Sequence, residues 1–508
     1  MNLRCREHPS AHADSPGAAM CLARVRSHAR ASTSGASLAS SPRVNHPLSS
    51  RSVRRIALRV ARRPRAVVDD PESDAKDDAL RGDEDLTRLW SNVDAQSDSV
   101  TRVAGNIASA VALVAGTTLG AGMLALPIVL RDAGFVPSTV VILACWAFFA
   151  CSGLCVLEVN LGTMCALGRA GGVTFNALAE RTLGSNGTKV ATASYAFIHY
   201  ALLVAYVQKV GELATEAFPT WPGGSNAASV AFTATMSTFL YLASPAKIEK
   251  VNSVLFTGVI ATFVPLLAVA AQSGSAENLL AVSDWSKTPA TIPIIAVAFV
   301  YHQVVPVVAT SLEGDKSRAQ TAILLGTLIP ALMFILWDAA VLGSVPVDSS
   351  ATIDPIATLQ AASPLTATLV RGFELFAVMT SFLGFGWGLA GYIADGLKTT
   401  EDDPLPWALA LAPPLIFALT NPDVFLAALD SAGAFGVLVV FGMMPPVMAY
   451  RHRRARTECS IENDPAECLP VLQPALPGGD VALLVVFTLA TAFVADETNG
   501  LIQSFIHR

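Results

Sequence analysis

The sequence predicts an all-α, multi-pass membrane protein with about eleven transmembrane helices. Three observations support this fold class. The 508-residue chain is 52% hydrophobic and only 15% charged, whereas a soluble globular protein carries about 25% charged residues. Long apolar runs recur between short polar breaks from residue 104 onward, and the first and sixth runs contain residues that disfavour a continuous helix. This composition excludes a soluble enzyme, a fibrous protein and a nucleic-acid binder.

The first 65 residues have the composition of an organelle transit peptide. They contain 13 Arg, no Lys and only two acidic residues, and they lack the apolar run of a secretory signal. Within them, residues 52–63 can form a short basic amphipathic helix. The alternative is a basic tail retained on a plasma-membrane protein. Residues 66–103 contain a strongly acidic run, which predicts a disordered linker without a site.

The apolar runs place the spanning helices, because one span needs about 20 mostly apolar residues. They predict a transmembrane domain over 104–496, followed by a C-terminal tail over 497–508. The predicted segments, numbered first to eleventh in chain order, are 104–130, 136–158, 190–217, 226–244, 251–272, 291–312, 320–345, 368–396, 404–420, 424–450 and 479–496.

The short loops orient these segments in the membrane. Lys and Arg collect after the even-numbered segments, as in Lys247 and Lys250 after the fourth and Arg451 to Arg456 after the tenth. Because such loops stay on the cytoplasm-like side, the N-terminus is expected there (stroma or matrix after import). The C-terminus is expected across the membrane. We call the side with the basic loops the positive side.

The first segment has small and hydroxyl residues crowded in its middle. Each glycine costs a helix interior about 1 kcal/mol relative to alanine, so the segment is expected to unwind near mid-membrane. Unwound backbone survives there only where protein or a water-filled cavity satisfies its amides. Close helix packing on a small-residue face is the alternative, and these residues alone leave both open. The crowded residues are Gly116, Thr117, Thr118, Gly120, Ala121 and Gly122.

The sixth segment carries the polar cluster Tyr301, His302 and Gln303 directly before Val304, Val305 and Pro306. A proline within a helix cannot donate to the hydrogen-bond ladder and clashes with the carbonyl one turn back. This arrangement predicts a second break. The alternative is a proline kink beside a satisfied core histidine.

The two predicted breaks are more informative about function together than separately. They open two five-helix halves, 104–272 and 291–450, with the eleventh helix outside the repeat. Matching interruptions in two halves point to a secondary transporter with inverted repeats. Half-helix N-termini suit a carboxylate, and free carbonyls suit an ammonium or a cation. The pair of breaks therefore suits a zwitterion such as an amino acid.

Three strings of residues resemble one known family. Gly116–Pro127 resembles the first-helix signature of the aromatic (hydroxy/aromatic) amino acid permeases, the tyrosine/tryptophan permease family of the amino acid–polyamine–organocation superfamily. Phe299–Pro306 resembles its Phe-x-x-His-x-x-x-Pro pattern, and Ser381–Asp395 resembles its Ser-Phe-Leu-Gly to Ala-Asp run. The resemblance extends from residue 104 to about residue 495 and does not cover the leader.

The resemblance implies a leucine-transporter-like five-plus-five inverted repeat with an extra helix, and symport of an aromatic amino acid with protons. A sodium-coupled or facilitative carrier of other neutral amino acids is the main alternative, and a non-transporting membrane assembly subunit is a further one. Tyr301 followed by Val304 and Val305 resembles the plant and algal plastid branch. Together with the leader, this favours the chloroplast inner envelope over a mitochondrial or plasma membrane.

The resemblance also implies roles for individual residues. The first-segment residues from Gly116 to Gly122 would offer backbone groups and a threonine hydroxyl to the substrate. Tyr301, His302 and Gln303 would line the cavity. Ser381 and Phe382 in the eighth segment would face it.

Ionisable residues inside a membrane are functional candidates by default. His302, which titrates near neutrality when unperturbed, Asp338 and Asp430 are therefore candidates for proton coupling, with a carbonyl-bonded structural role as the alternative for His302. Pro306 and Asp395 are expected to serve gating or helix anchoring.

Lys209 and Glu212, three residues apart, are expected to pair on one helix face in a structural role. The sequence contains neither HExxH nor GxSxG, which argues against an enzyme. No catalytic residue, metal or cofactor is expected. The expected partners are an amino acid, a coupling ion and the bilayer, without nucleic acid.

Overall fold

We analysed a computed structural model of the chain. It describes residues 93–94, 101–102, 105–120, 122–167, 173–344, 355–399, 403–421, 424–462 and 474–506. The predicted transit peptide over 1–65 lies outside the described residues, as does most of the predicted linker over 66–103. Within the linker, the two-residue strands β1 (Val93–Asp94) and β2 (Thr101–Arg102) pair antiparallel. The rest of the described chain is helices and short connections.

The helices of the first half follow the predicted segments. The first segment forms two helices rather than one. The helices are α1 (Ile107–Thr118), α2 (Gly122–Leu130), α3 (Phe135–Leu167), α4 (Phe175–Ala217), α5 (Gly224–Leu242) and α6 (Pro245–Ser273).

A connector with the short helix α7 (Ala276–Leu280) leads to the second half, where the sixth segment is again two helices. These are α8 (Ile292–Ala298) and α9 (Val305–Ser311), with a 3₁₀ turn at His302–Val304 between them. The remaining helices are α10 (Lys316–Ser344), α11 (Pro355–Ala361), α12 (Pro364–Leu397), α13 (Pro404–Thr420), α14 (Phe425–Ser431), α15 (Met444–Glu462) and α16 (Gly479–Ile506).

Several helix boundaries differ from the sequence pattern. Helix α4 begins well before the predicted third segment, and a kink at Gly184 (φ 71°, ψ −168°) sets off its first turns. A π-helix (Ala432–Met443) joins α14 to α15. Helix α16 continues past residue 496 to Ile506, because charged residues end an apolar run without ending a helix.

Eight helical stretches of the described chain are long and apolar enough to cross a membrane, counting α8 with α9 as one and α14 with α15 as one, or nine if the bent pair α1 and α2 is one span. The set omits α5, which is more polar, and α13, which is shorter. The sixth segment is the most interior of these, with 83% of its apolar stretch buried, against 17% for α16. The sixth break therefore lies at the centre of the bundle.

The backbones of the sixth and tenth segments approach each other closely. A Cβ at Gly433 in the π-helix would lie 1.9 Å from the carbonyl oxygen of Pro293 in α8. Only glycine permits this contact. It fixes the start of the sixth segment against the tenth.

Candidate functional site at the paired helix breaks

The first break interrupts the helix as its glycines predict. Helix α1 ends at Thr118 and α2 starts at Gly122, with a bend of 56° between the two axes. The Leu119 amide still donates to the helix, bonding the Ala115 carbonyl at 2.8 Å, whereas the Gly120 amide turns to the Thr118 carbonyl at 3.0 Å. Ala121, a predicted site residue, lies outside the described residues.

The hydroxyl groups of the two threonines at the first break donate hydrogen bonds within their own helix. The Thr117 hydroxyl donates to the Leu113 carbonyl at 2.7 Å, and the Thr118 hydroxyl donates to the Val114 carbonyl at 2.8 Å. Helical threonines commonly bond back to the preceding turn in this way. Their hydroxyl oxygens remain available as acceptors.

Two glycines of the first break face other segments. A Cβ at Gly120 would lie 2.7 Å from Oγ of Ser381 in α12, and a Cβ at Gly122 would lie 3.1 Å from Cα of Ala298 at the end of α8. The start of α2 therefore lies against the end of α8, and the first break borders the eighth segment. Gly116 has looser surroundings, with Phe256 3.9 Å from a would-be Cβ.

The sixth break spans the residues between α8 and α9. Tyr301 precedes the 3₁₀ turn with non-helical dihedrals (φ −145°, ψ −6°). Pro306 lies in the first turn of α9, where its missing N–H costs nothing because that position has no helical acceptor. Pro306 thus starts the second half-helix and does not kink a continuous one.

Tyr301 is fully buried, and its side chain lies against α3. Its hydroxyl donates to the Phe149 carbonyl at 2.9 Å, and Gly153 leaves room for it, since a Cβ there would lie 2.0 Å from the hydroxyl oxygen.

His302 is also fully buried and lies in an enclosure of aromatic rings. Its ring stacks on Tyr301 at 4.5 Å and on Phe441 at 4.7 Å, with the Phe149 ring edge-on at 5.7 Å. It interacts weakly with the Phe149 carbonyl, but neither ring nitrogen has a regular hydrogen bond among the described residues. Gln303, the third member of the polar cluster, is partly buried.

A tyrosine that the sequence pattern did not single out completes the surroundings of the first break. The side chain of Tyr206 in α4, only 2% exposed, hydrogen-bonds Ser381. The Phe385 ring, one helical turn beyond Ser381, lies 5.9 Å from the Tyr206 ring and 4.9 Å from the His199 ring. Gly120, Tyr206, Ser381 and Phe385 therefore form one polar and aromatic cluster. The sequence signal that could have identified Tyr206 was a hydroxyl-bearing aromatic residue in the middle of an apolar segment.

Phe382 packs on the other side of α12, as expected for the residue next to Ser381 on a helix. Its ring is fully buried and makes an edge contact with Phe232 of α5 at 5.0 Å. The structure therefore groups Ser381 with the first break and places Phe382 against the fourth segment.

The two acidic candidates for proton coupling have different surroundings. Asp338 in α10 is fully buried, and neither carboxylate oxygen has a hydrogen-bond partner among the described residues. Asp430 in α14 is only partly buried and is close enough to Glu497 of α16 to interact electrostatically. Asp395 lies within α12, but its side chain lies outside the described part of the structure.

Ion pairs join helices on the side opposite the basic loops. Lys209 lies 3.8 Å from Glu212, as the spacing predicts, and 3.2 Å from the buried Glu374 of α12. Arg371 and Glu216 approach to 3.8 Å. These contacts connect the end of α4 with the start of α12.

A second group of charges lies on the positive side. Arg453 of α15 donates two hydrogen bonds to Glu158 of α3, at 2.7 and 2.9 Å. Glu158, 4% exposed, also accepts from the Ala475 amide at 2.9 Å, and Asp480 lies 3.6 Å from Arg453. Glu158, which lies inside α3, is therefore a structural tie between α3, α15 and the start of α16.

The described chain is a bundle of apolar helices in which the first and sixth segments are interrupted next to each other in the interior. This arrangement defines a multi-pass membrane protein with a transporter fold. The chain belongs to the tryptophan/tyrosine permease family, whose family model matches residues 104–472. It is 30% identical to the Tyrosine-specific transport system 1 of Haemophilus influenzae over 395 residues, covering 74% of this chain and 92% of that protein. It is 28% identical to Glutamine transporter 2 of Aliivibrio fischeri over 68% of this chain and 89% of that one.

A solved structure shows the same fold. MhsT in complex with L-phenylalanine superposes with a TM-score of 0.54 over 75% of this chain and 98% of that chain, at 13% sequence identity. At this identity the likeness concerns the fold alone.

Proposed function

We propose that this protein is a secondary active transporter that carries an aromatic amino acid, tyrosine or tryptophan, by proton-coupled symport with alternating access. The observation that carries the proposal is the contact between Gly122 and Ala298, which brings the start of α2 against the end of α8. The family and the tyrosine transporter of H. influenzae support the choice of substrate.

The paired breaks suit both charged groups of an amino acid. The N-terminus of α2 presents amides and partial positive charge, which favour a carboxylate. The C-termini of α1 and α8 present carbonyls and partial negative charge, which favour an ammonium. Because Gly122 and Ala298 lie side by side, one zwitterion can reach both kinds of terminus.

The cluster beside the first break suits an aromatic side chain. Phe385 and Tyr206 supply ring faces for stacking, and the Ser381 and Tyr206 hydroxyls can hydrogen-bond a polar substituent such as a phenol. Together with Gly120, these residues form the proposed substrate site. Gly116, Thr117, Thr118, Ala121, Gln303 and Phe382 remain candidates around it.

We further propose eleven spans arranged as two five-helix inverted repeats, 104–272 and 291–450, plus the helix that begins at residue 479. The breaks support this arrangement because each lies in the first segment of its half.

We assign proton coupling to His302 and Asp338. The rings of Tyr301 and Phe441 stack on the His302 imidazole at 4.5 and 4.7 Å and hold this titratable group at the sixth break. Asp338 is a fully buried carboxyl, and neither of its oxygens has a hydrogen-bond partner among the described residues, so it can take up and release a proton without breaking another contact. Asp430 is a third candidate.

The leader, together with the resemblance of Tyr301, Val304 and Val305 to the plastid branch, supports a location in the chloroplast inner envelope, with residues 1–65 as a cleaved transit peptide. A fluorescent protein fused to the C-terminus of the full chain should label the chloroplast rim, and removal of residues 1–65 should abolish that labelling. Labelling of mitochondria or of the plasma membrane would contradict the assignment.

Uptake into proteoliposomes tests the transport proposal. The full chain, reconstituted in vesicles, should accumulate radiolabelled tyrosine under an inward proton gradient but not under an inward sodium gradient alone. Unlabelled tryptophan should compete, and glutamine should not. His302→Ala and His302→Gln, both unable to titrate at this position, should remove the stimulation by the proton gradient. Folded protein that takes up neither tyrosine nor tryptophan under any gradient would refute the proposal.

The second candidate is a sodium-coupled or facilitative carrier of another neutral amino acid. The 28% identity to Glutamine transporter 2 favours it. Sodium-driven or gradient-independent uptake, with glutamine as the effective competitor, would establish this alternative in the same assay.

A further inference from the structure

A basic pocket opens between α4 and α15, and none of its lining residues belongs to the helix breaks. It has a volume of about 540 Å³ and is lined by Arg181 and Thr182 of α4 and by Tyr450, Arg451, His452 and Arg454 of α15. Among the described residues, no aspartate or glutamate lines it. We call this cavity the basic pocket.

The basic pocket lies at the end of the bundle on the positive side. Its α4 residues precede the kink at Gly184, and its α15 residues belong to the arginine cluster that follows the tenth segment. Cavities with this charge between spans on the cytoplasm-like side lie at the depth of lipid headgroups, which are partly anionic there.

The arginines of α15 divide into two kinds. Arg453 is neutralised by Glu158 and Asp480, at 2.7 and 3.6 Å. Arg451 and Arg454, which flank it, have no carboxylate partner in the part of the chain that the structure describes. They are three residues apart, so they project from one face of the helix. That face therefore presents two positive charges to the basic pocket.

The other contacts of the basic pocket hold its cationic groups in place. One guanidinium nitrogen of Arg181 donates to the Thr163 hydroxyl at 2.8 Å, which leaves further N–H donors of that group unassigned. The Arg454 guanidinium lies over the Tyr450 ring at 5.3 Å from its centre. Three guanidinium groups gathered around one cavity repel each other unless an anion separates them.

We propose that the basic pocket binds a phosphate-bearing anion, supplied in the membrane by the headgroup of an anionic phospholipid. Guanidinium groups bind phosphate oxygens through paired N–H donors with planar geometry. The Tyr450 hydroxyl provides a neutral donor for a remaining oxygen, whereas the Thr182 hydroxyl donates to the Leu178 carbonyl at 2.7 Å and only lines the pocket. A bound headgroup would connect α4 to α15 beside the Glu158–Arg453 tie.

Binding to the detergent-purified full chain tests this assignment. Short-chain phosphatidylglycerol, short-chain phosphatidylcholine and inorganic phosphate are titrated separately, and bound ligand is counted by native mass spectrometry. Phosphatidylglycerol should bind at one site per chain, and phosphatidylcholine should not saturate a site. The double variant Arg451→Gln/Arg454→Gln should weaken phosphatidylglycerol binding by about a hundredfold, tenfold for each lost charged contact.

Matched variants separate a built site from general attraction to a basic surface. Lys250→Gln removes an exposed positive-side charge outside the pocket and should leave the affinity unchanged, while Arg454→Lys should weaken binding less than Arg454→Gln. If inorganic phosphate displaces the lipid from the wild type but has no effect on the double variant, the headgroup phosphate is the recognised group. If phosphate does not compete but the double variant still loses the lipid, the intact lipid is the ligand. Equal loss in Lys250→Gln and the double variant, or equal binding of both lipids, would overturn the proposal.

Discussion

The position of Tyr301 depends on the absence of a side chain at Gly153. A Cβ at Gly153 would lie 2.0 Å from the tyrosine hydroxyl oxygen and 2.8 Å from Cζ. The ring is fully buried, and its hydroxyl donates to the Phe149 carbonyl at 2.9 Å. The variant Gly153→Ala therefore requires the ring or α3 to move and strains the sixth break.

The magnitude follows from three contributions. Overpacking a well-packed interior costs about 1–3 kcal/mol, and the loss of the Tyr301 hydrogen bond costs about 1 kcal/mol. The gain in helix propensity from glycine to alanine returns about 1 kcal/mol. We expect Gly153→Ala to lower the free energy of unfolding by about 1–3 kcal/mol. Adding Tyr301→Phe removes the closest clashing atom and should recover part of that loss.

Denaturant unfolding of the detergent-purified protein measures these differences. Gly384→Ala is the matched control, because a Cβ at Gly384 in α12 meets nothing within 4 Å. It should leave the free energy of unfolding unchanged or raise it by about 1 kcal/mol. If Gly153→Ala is as stable as Gly384→Ala, or if Tyr301→Phe adds its cost independently of Gly153→Ala, the assigned contact between Gly153 and Tyr301 is refuted.

Two further predictions concern buried charges. Arg453→Gln leaves the Glu158 carboxylate buried without its cation and should lower the free energy of unfolding by about 3–5 kcal/mol, whereas the exposed neighbour Arg454→Gln should change it by about 0.5 kcal/mol or less. Equal effects of these two variants in denaturant unfolding, in detergent without anionic lipid, would contradict the tie between α3 and α15. Asp338→Asn should abolish accumulation of tyrosine driven by a proton gradient but preserve exchange of labelled for unlabelled tyrosine, because the amide cannot carry the proton. Unchanged gradient-driven accumulation would exclude Asp338 from coupling.

The sequence predicted the features that depend on neighbours in the chain. Glycine crowding located the first break, and the polar cluster before Pro306 located the sixth, because helix propensity and proline sterics act within a turn or two. The contact between Lys209 and Glu212 followed from their spacing for the same reason. Helix α16 runs beyond the predicted span over 479–496, since hydropathy marks the end of an apolar run and a helix can continue past it.

The composition of the site depended on packing between distant segments. Tyr206 bonds Ser381 only because α4 lies against α12, and His302 is enclosed by rings from α3 and the π-helix. Lys209 pairs with Glu374 across the same α4–α12 interface. The spacing of residues along the sequence does not show which faces of two distant helices pack together. The sequence therefore identified His302 and Ser381 as site candidates but missed Tyr206, and it did not show that the Tyr301 hydroxyl donates to the Phe149 carbonyl of α3.

The central claim is that the amino acid binds at the first break, between α2, α8 and α12. Equilibrium binding of radiolabelled tyrosine to purified wild type, Gly120→Ala and Gly384→Ala tests it most directly. A methyl group at Gly120 would lie 2.7 Å from Oγ of Ser381 and occupy the proposed site. We therefore predict that Gly120→Ala weakens tyrosine binding by about tenfold or more, while Gly384→Ala binds like the wild type. If folded Gly120→Ala binds tyrosine with unchanged affinity, the substrate does not bind at this break.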